Sequence, residues 1–216
     1  MRFLFYVGVV QVIALIIGLY FSKRLNGLYL FFLLQLILAV VFEAYGFYIN
    51  IVLGKYNLWL FNIYILLEIS LLTLAYTVLS KNKITNIFTA ISLVMLVVFW
   101  FYSIYNNGID TLANIFYISG CILLVVLYFH LLFTQVIFNS HKILKNPLFW
   151  VCSSVLIYFG CFIPYKGIEN RMLSNDIDLA KRLFDINLAL NIIRYSLVAV
   201  AFYLYGSHAK RGYVRQ

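Results

Sequence analysis

The chain has 216 residues, of which 65% are hydrophobic and only 11% charged, and its formal net charge is +9. Soluble domains are roughly 45–50% apolar and about 25% charged, so this composition excludes an ordinary soluble globular protein. The basic excess lies in short breaks between apolar segments, where it indicates membrane topology and lipid headgroup contacts, not nucleic acid.

The apolar segments are long enough to cross a bilayer, which takes about 20 residues for a helix. They predict an all-α polytopic membrane bundle, one domain over residues 1–216, with seven transmembrane helices. The predicted spans are residues 3–22, 28–50, 57–80, 85–105, 111–136, 146–164 and 183–206. A longer polar loop is predicted from Tyr165 to Arg182. The first segment exceeds a signal-peptide core and is followed by Lys23 and Arg24, so we expect it to be retained as a span.

The basic residues between the spans predict the orientation, because cytoplasmic loops carry the excess of Lys and Arg. One side has nine: Lys23, Arg24, Lys81, Lys83, Lys142, Lys145, Lys210, Arg211 and Arg215. The other has six: Arg2, Lys55, Lys166, Arg171, Lys181 and Arg182. We therefore expect the N-terminus outside and the C-terminus inside. The layout indicates a multi-pass protein of the cell membrane, such as a bacterial inner membrane.

Three charged residues lie well inside the predicted spans: Glu43, Glu68 and Arg194. A charge at that depth costs several kcal/mol unless it is paired, hydrated or used. Each lies on a stripe of polar and small residues on one helix face, the pattern of a surface that contacts another helix. On the second helix the stripe is Gln35, Ala39, Glu43, Gly46 and Asn50; on the third it is Asn57, Phe61, Tyr64 and Glu68; on the seventh it is Asn187, Asn191, Arg194, Val198, Ala201 and Tyr205.

The three charges lie within one slab of the bilayer, from its outer half to its midplane. At a rise of about 1.5 Å per residue, Glu68 and Arg194 lie roughly 16 Å from the outer helix ends and Glu43 roughly 10 Å. We therefore expect Arg194 to face Glu68, with Glu43 close enough to share the network. One interpretation is an ion pair that only orders the bundle. The other is a polar pocket, open to the outer side, that binds a small ligand or cation. Its residues would be Glu43, Asn50, Tyr64, Glu68, Asn187, Asn191 and Arg194.

The sequence carries no recognisable catalytic motif. The seventh helix has no Lys for a retinal Schiff base, and no HExxH, GxSxG or phosphate-binding glycine loop occurs. His130, His141 and His208 share no metal-ligand spacing, and the three cysteines show none either. We therefore expect no enzyme activity, no metal and no cofactor.

The third segment reads YNLWLFNIYILLE from Tyr56 to Glu68. It resembles a segment of small bacterial seven-helix membrane proteins, and the whole layout is similar to the seven-helix sensor modules that precede some histidine kinases. We expect no output domain in this chain, since only a basic tail follows the seventh helix. The seven-helix layout, the outer polar cluster and the loop Tyr165–Arg182 predict a receptor-like or scaffolding protein that acts through a membrane or cytoplasmic signalling partner. A transporter or channel for a small cation or proton is the alternative, and an intramembrane lipid-modifying enzyme the second alternative.

Overall fold

The computed structural model describes residues 2–80, 82–138, 142–172 and 177–210. Side-chain surroundings are described for these residues except 2–5, 165–181, 183, 209 and 210. The predicted breaks at Lys81 and at 139–141, which include His141, lie outside the described residues. So do residues 173–176 of the predicted loop and the tail residues Arg211 and Arg215.

The described residues form seven long helices and no strand. They are α1 (Arg2–Tyr20), α2 (Leu28–Ile51), α3 (Leu58–Leu79), α4 (Lys83–Asn107), α5 (Asn114–Leu131), α6 (Pro147–Met172) and α7 (Ile177–Lys210). A π-helical turn, Leu132–Ile137, extends α5, and short 3₁₀ turns lie at Ser22–Arg24 and Ile143–Lys145. The all-helical prediction is confirmed.

Six of the helices are long and apolar enough to cross a membrane: Leu28–Ile51, Leu58–Leu79, Lys83–Asn107, Asn114–Ile137, Pro147–Pro164 and Phe184–His208. The corresponding part of α1, Tyr6–Tyr20, is apolar but shorter. Length and composition therefore support a multi-pass membrane protein with six spans, and the seventh span stays a prediction.

Asparagine, proline and glycine residues between the apolar segments set several helix ends. Asn82 accepts a hydrogen bond from the Ile84 backbone N–H at 2.9 Å and caps the start of α4,. Asn146 does the same for Leu148 at 2.9 Å, with Pro147 as the first helical residue of α6,. Gly108 ends α4 with a φ of 80°, a conformation that favours glycine,.

The loop predicted from Tyr165 to Arg182 is wrong for most of its length. Helix α6 continues past Pro164 to Met172, and α7 already begins at Ile177. The polar composition and Pro164 predicted a loop, because proline lacks an N–H donor and disfavours a helix interior. Pro164 nevertheless lies inside α6. The start predicted for the fifth span is also early, because residues 111–113 belong to the turn before α5.

Six helices form a closed ring in the order α1, α2, α3, α5, α6 and α7, with α7 packing back on α1. Glycines permit close approach at three of the contacts: Gly18 of α1 lies against Leu33 and Phe202, Gly120 of α5 against Ile69, and Gly206 of α7 against Phe21,. Helix α4 packs outside the ring against α3 and α5, and in its apolar 18-residue stretch only 22% of the residues are buried. The interior of this ring is where the polar site lies.

Loops join the helices at two ends of the bundle. We call the end with the α2–α3 turn the Lys55 end, and the end with the α1–α2 turn the Arg24 end. At the Arg24 end, the Tyr205 hydroxyl of α7 bonds the Asn26 side chain, and Arg24 donates to the Gly206 carbonyl at 3.4 Å. These bonds fix the α1–α2 turn on α7.

Candidate functional site

The centre of the ring holds a buried ion pair between α3 and α7. Arg194 Nη2 lies 2.8 Å from Glu68 Oε1, and each side chain is 2% exposed. The expectation that Arg194 faces Glu68 is confirmed. Pairing offsets part of the large cost of placing each charge away from water.

Two neutral donors support the Glu68 carboxylate. The Tyr64 hydroxyl, one helical turn earlier on α3, donates to Oε1 at 2.8 Å, and Gln35 of α2 donates to the same oxygen at 2.8 Å. Gln35 also lies 3.2 Å from the Tyr64 hydroxyl. Two hydrogen-bond donors and the Arg194 cation, from three helices, therefore meet on one carboxylate oxygen, which holds Glu68 in a single position,.

Aromatic rings surround the Arg194 guanidinium. Its central carbon lies 4.6 Å from the ring centroid of Tyr158, 5.0 Å from Phe159 and 5.7 Å from Tyr195. Such distances give cation–π attraction, which is strongest where water is excluded. Nη2 contacts Glu68 without the alignment of a hydrogen bond, and Nε has no hydrogen-bond partner among the described protein atoms. The guanidinium is thus held mainly by charge and by ring faces.

Glu43 lies at the edge of this network, not inside it. Its side chain is exposed on the surface of α2 and has a hydrogen bond with Gln11 of α1. Gln11 is buried and also donates to the Tyr195 hydroxyl at 3.3 Å, next to Arg194. Glu43 is therefore linked to the ion pair through a neutral amide and a phenol, so the shared network exists but the carboxylate is separate.

The remaining predicted site residues do not join the ion pair. Asn191 donates to the backbone and side-chain oxygens of Asn187 at 3.0 and 3.3 Å, one turn earlier on α7. Both are half-buried, and Asn50 is exposed near the end of α2. The structure brings Tyr64, Glu68 and Arg194 together, places Glu43 beside them, and leaves Asn50, Asn187 and Asn191 nearer the Lys55 end.

The stripe predicted on α2 is correct for only part of its length. Gln35, Ala39 and Gly46 are buried as expected, but Glu43 and Asn50 are exposed. The reason is that α1 packs more extensively on α7 than on α2, so it leaves this part of α2 uncovered. The prediction of a protein-facing stripe is therefore wrong for Glu43 and Asn50 within the described bundle.

Several residues of the site were missed from the sequence. Gln35 lies on the predicted stripe of α2 at the level of Tyr64, so the sequence could have assigned it to the site. Gln11 is an isolated polar residue in an apolar segment, which is weaker evidence for a role in the site. Tyr158 and Phe159 gave no signal, because 19% of the chain is aromatic and rings occur throughout the spans.

Asn62 has an unexpected role at the Lys55 end. Its Nδ2 donates to the carbonyls of Ile109 and Thr111, both at 2.7 Å, and its Oδ1 accepts from the Ala113 N–H at 3.1 Å. The Trp100 indole donates to the Asn62 carbonyl at 3.1 Å. Asn62 thus fixes the α4–α5 turn on α3, which explains a polar residue off the predicted stripe.

A polar pocket of about 390 Å³ lies beside this turn, away from the ion pair. Its lining residues are uncharged: Ser103, Asn107, Thr111, Leu112, Asn114 and Ile115. The part of the chain that the structure describes contains no cluster of three His, Cys, Asp or Glu side chains suited to a metal ion. His130 instead shares a hydrogen bond of 2.9 Å with the Tyr76 hydroxyl.

Chemically, the central site is an ion pair in a low-dielectric interior, with each partner held by several side chains. It can order the bundle, because the two charges join α3 to α7 in its interior. No family model, curated protein or solved structure matches the chain.

Proposed function

We propose that the protein is a receptor-like or scaffolding protein of the cell membrane, in which the buried ion pair fixes the helices and the surface supports a partner protein. The observation that carries the proposal is the 2% exposure of both Glu68 and Arg194. A group that binds a soluble ligand or conducts an ion needs a route to it. A pair enclosed by side chains of α2, α3, α6 and α7 favours a structural role.

The polar contacts determine which helices pack together, and they also stabilise the bundle. Apolar helices in lipid have little hydrophobic drive to choose one neighbour over another, so interhelical hydrogen bonds and charges select the arrangement. Glu68 accepts hydrogen bonds from α2 and from α3 itself and forms an ion pair with α7, and it can do so in only one register. A bundle fixed in this way can present a defined surface to another protein.

We also infer that α1 is the seventh span and that the Lys55 end lies outside. The basic residues support this orientation, and the contact of α1 with α7 supports its insertion,. In a version of the protein lacking its native cysteines, Lys55→Cys on intact cells should react with a membrane-impermeant maleimide and Lys23→Cys should not. The reverse labelling would overturn the orientation.

The main test compares assembly with transport. Purified protein in liposomes should give no proton or alkali-cation flux, whereas native membranes should yield a crosslinked partner. Arg194→Gln should reduce partner capture in proportion to the loss of folded protein. A matched variant at an exposed site, Tyr102→Phe, should change neither. Failure to recover any partner, with no effect beyond instability, would sink the proposal.

A transporter of a small cation or proton is the second candidate. The exposure of Glu43 beside the buried pair favours it, because an accessible intramembrane carboxylate is a common element of such pathways,. Flux that disappears in Glu43→Gln would establish this function in place of the first. An intramembrane enzyme has no comparable observation in its favour.

A further inference from the structure

The half of α2 nearest the Lys55 end is largely uncovered. From residue 41 to residue 52, Gly46 and Ile49 are the buried positions, and Gly46 lies against Asn57 and Leu60 at the start of α3. The exposed face carries Glu43, Phe47 and Asn50. Glu43 and Asn50 are seven residues apart, about two helical turns, so they lie on one line along the helix.

This face differs from an ordinary lipid-facing surface in its polarity. A carboxylate about 12 Å from the end of an apolar helix is costly in contact with hydrocarbon. Arg194 relieves the cost only in part, because it is paired with Glu68, whose negative charge opposes that of Glu43. Gln11 supplies one neutral hydrogen bond and no charge. Glu43 is thus an intramembrane carboxyl group without a salt-bridged cation among the described residues.

A second copy of this chain does not fit the position. In the described parts of the spans, Arg194 is buried and Lys83 lies at the start of α4, at the opposite end of the bundle. Two copies meeting through α2 would place one Glu43 against another, which repel when charged. The complementary surface is instead a different helix with a cation at the depth of Glu43.

We propose that this face of α2 is a docking surface for a transmembrane helix of another protein, which carries a Lys or Arg in its outer third that pairs with Glu43. A hydrogen-bonding residue seven positions from that cation would meet Asn50. The inference rests on the proposed scaffolding function and names its partner class. It also explains why the α2 stripe is polar where the bundle leaves it uncovered.

The first test uses a defined probe, a synthetic leucine–alanine transmembrane peptide with one Lys about 12 Å from its outer end. Association is measured by energy transfer to the labelled protein in phosphatidylcholine vesicles. The Lys peptide should bind at least about tenfold more tightly than the same peptide with Leu. Glu43→Gln should remove this difference, and Glu43→Lys should transfer the preference to a peptide with Glu. Equal binding of the Lys and Leu peptides would overturn the proposal.

The second test locates the surface in native membranes. A photocrosslinking residue replaces Phe47 on α2 or Tyr102 on α4, which are 60% and 64% exposed and similarly near the Lys55 end of their helices. We expect a crosslinked protein at position 47 and none at position 102. Glu43→Gln should abolish this crosslink. The crosslink should return when Glu43→Lys is combined with a Lys→Glu or Arg→Glu change in the transmembrane span of the captured protein.

The outcomes separate the two proposals. Capture at position 102 alone would overturn the α2 surface and leave the scaffolding function standing. Capture of a second copy of this chain at position 47 would overturn the assignment of a cationic partner. Capture at neither position, with no partner recovered by general crosslinking, would overturn both.

Discussion

Glu68 and Glu43 are both carboxylates within apolar helices, and their surroundings are opposite. Glu68 is 2% exposed and meets Tyr64, Gln35 and Arg194 on one oxygen. Glu43 is exposed on α2 and has Gln11 as its hydrogen-bond partner. The two lie on neighbouring helices and at similar depths, so depth does not decide how a charge is accommodated. The number of helices that cover the position decides it.

This difference in burial predicts different roles for the two residues. A carboxylate enclosed by the ring stabilises the chain's own fold, because its partners come from the same protein. A carboxylate outside the ring contributes little to the fold and is available to another molecule. Substitutions should therefore separate stability, which depends on Glu68, from association, which depends on Glu43.

The largest expected effect is the loss of one member of the ion pair. Arg194→Gln and Glu68→Gln should each lower the free energy of unfolding by about 3–5 kcal/mol, because each leaves a buried charge uncompensated. Reversible unfolding in mixed micelles with increasing dodecyl sulfate measures the change. The double variant Glu68→Met with Arg194→Met should recover most of the loss, since it removes both charges and retains volume. If the free energy of unfolding of either single variant lies within about 0.5 kcal/mol of the parent, the buried pair contributes no more to stability than the exposed Glu43. The contrast between Glu68 and Glu43 would then be wrong.

A smaller effect is expected from the packing beside Glu68. In Gly120→Ala the added methyl of α5 would overlap the Ile69 side chain, which follows Glu68 on α3. We expect a loss of about 1–3 kcal/mol from overpacking. Gly160→Ala on α6 is the matched control, because its methyl would meet no heavy atom within 4 Å. It should be neutral or stabilising by up to about 1 kcal/mol through helix propensity. Equal effects in the two variants would show that α5 does not press closely on α3.

Removing one neutral donor from Glu68 should have a still smaller effect. Tyr64→Phe deletes the 2.8 Å hydrogen bond and leaves Gln35 and Arg194 in place, so a loss of about 1 kcal/mol is expected,. Tyr102→Phe, on the exposed face of α4, should leave the micelle unfolding curve unchanged. If Tyr64→Phe were as damaging as Arg194→Gln, the hydroxyl and not the guanidinium would be the main support of the carboxylate.

The central pair was predictable from the sequence because depth and helical phase are both encoded in residue spacing. Glu68 and Arg194 lie at matching depths on polar stripes, and only their mutual contact needed the structure. Gln11 and Tyr158 were not predictable in the same way, since their roles depend on α1 and α6 flanking α7 in the ring. The peripheral position of α4 could not be predicted from the sequence either, because a helix that is apolar on every face does not indicate which face meets protein. For Glu43 the stripe wrongly predicted a position facing protein, because the cover of α2 depends on how far α1 extends over it.

The smallest effect on stability is expected at Glu43 itself. Glu43→Gln keeps the shape of the side chain and its capacity to bond Gln11, and it removes a charge that no described cation pairs with. The free energy of unfolding in micelles should therefore change by less than about 0.5 kcal/mol. Association with the Lys-bearing transmembrane peptide should fall to the level of the Leu peptide in the same preparation. A loss of several kcal/mol in the unfolding assay would show that Glu43 shares Arg194 with Glu68. The two carboxylates would then form one buried site, with no separate surface for a partner.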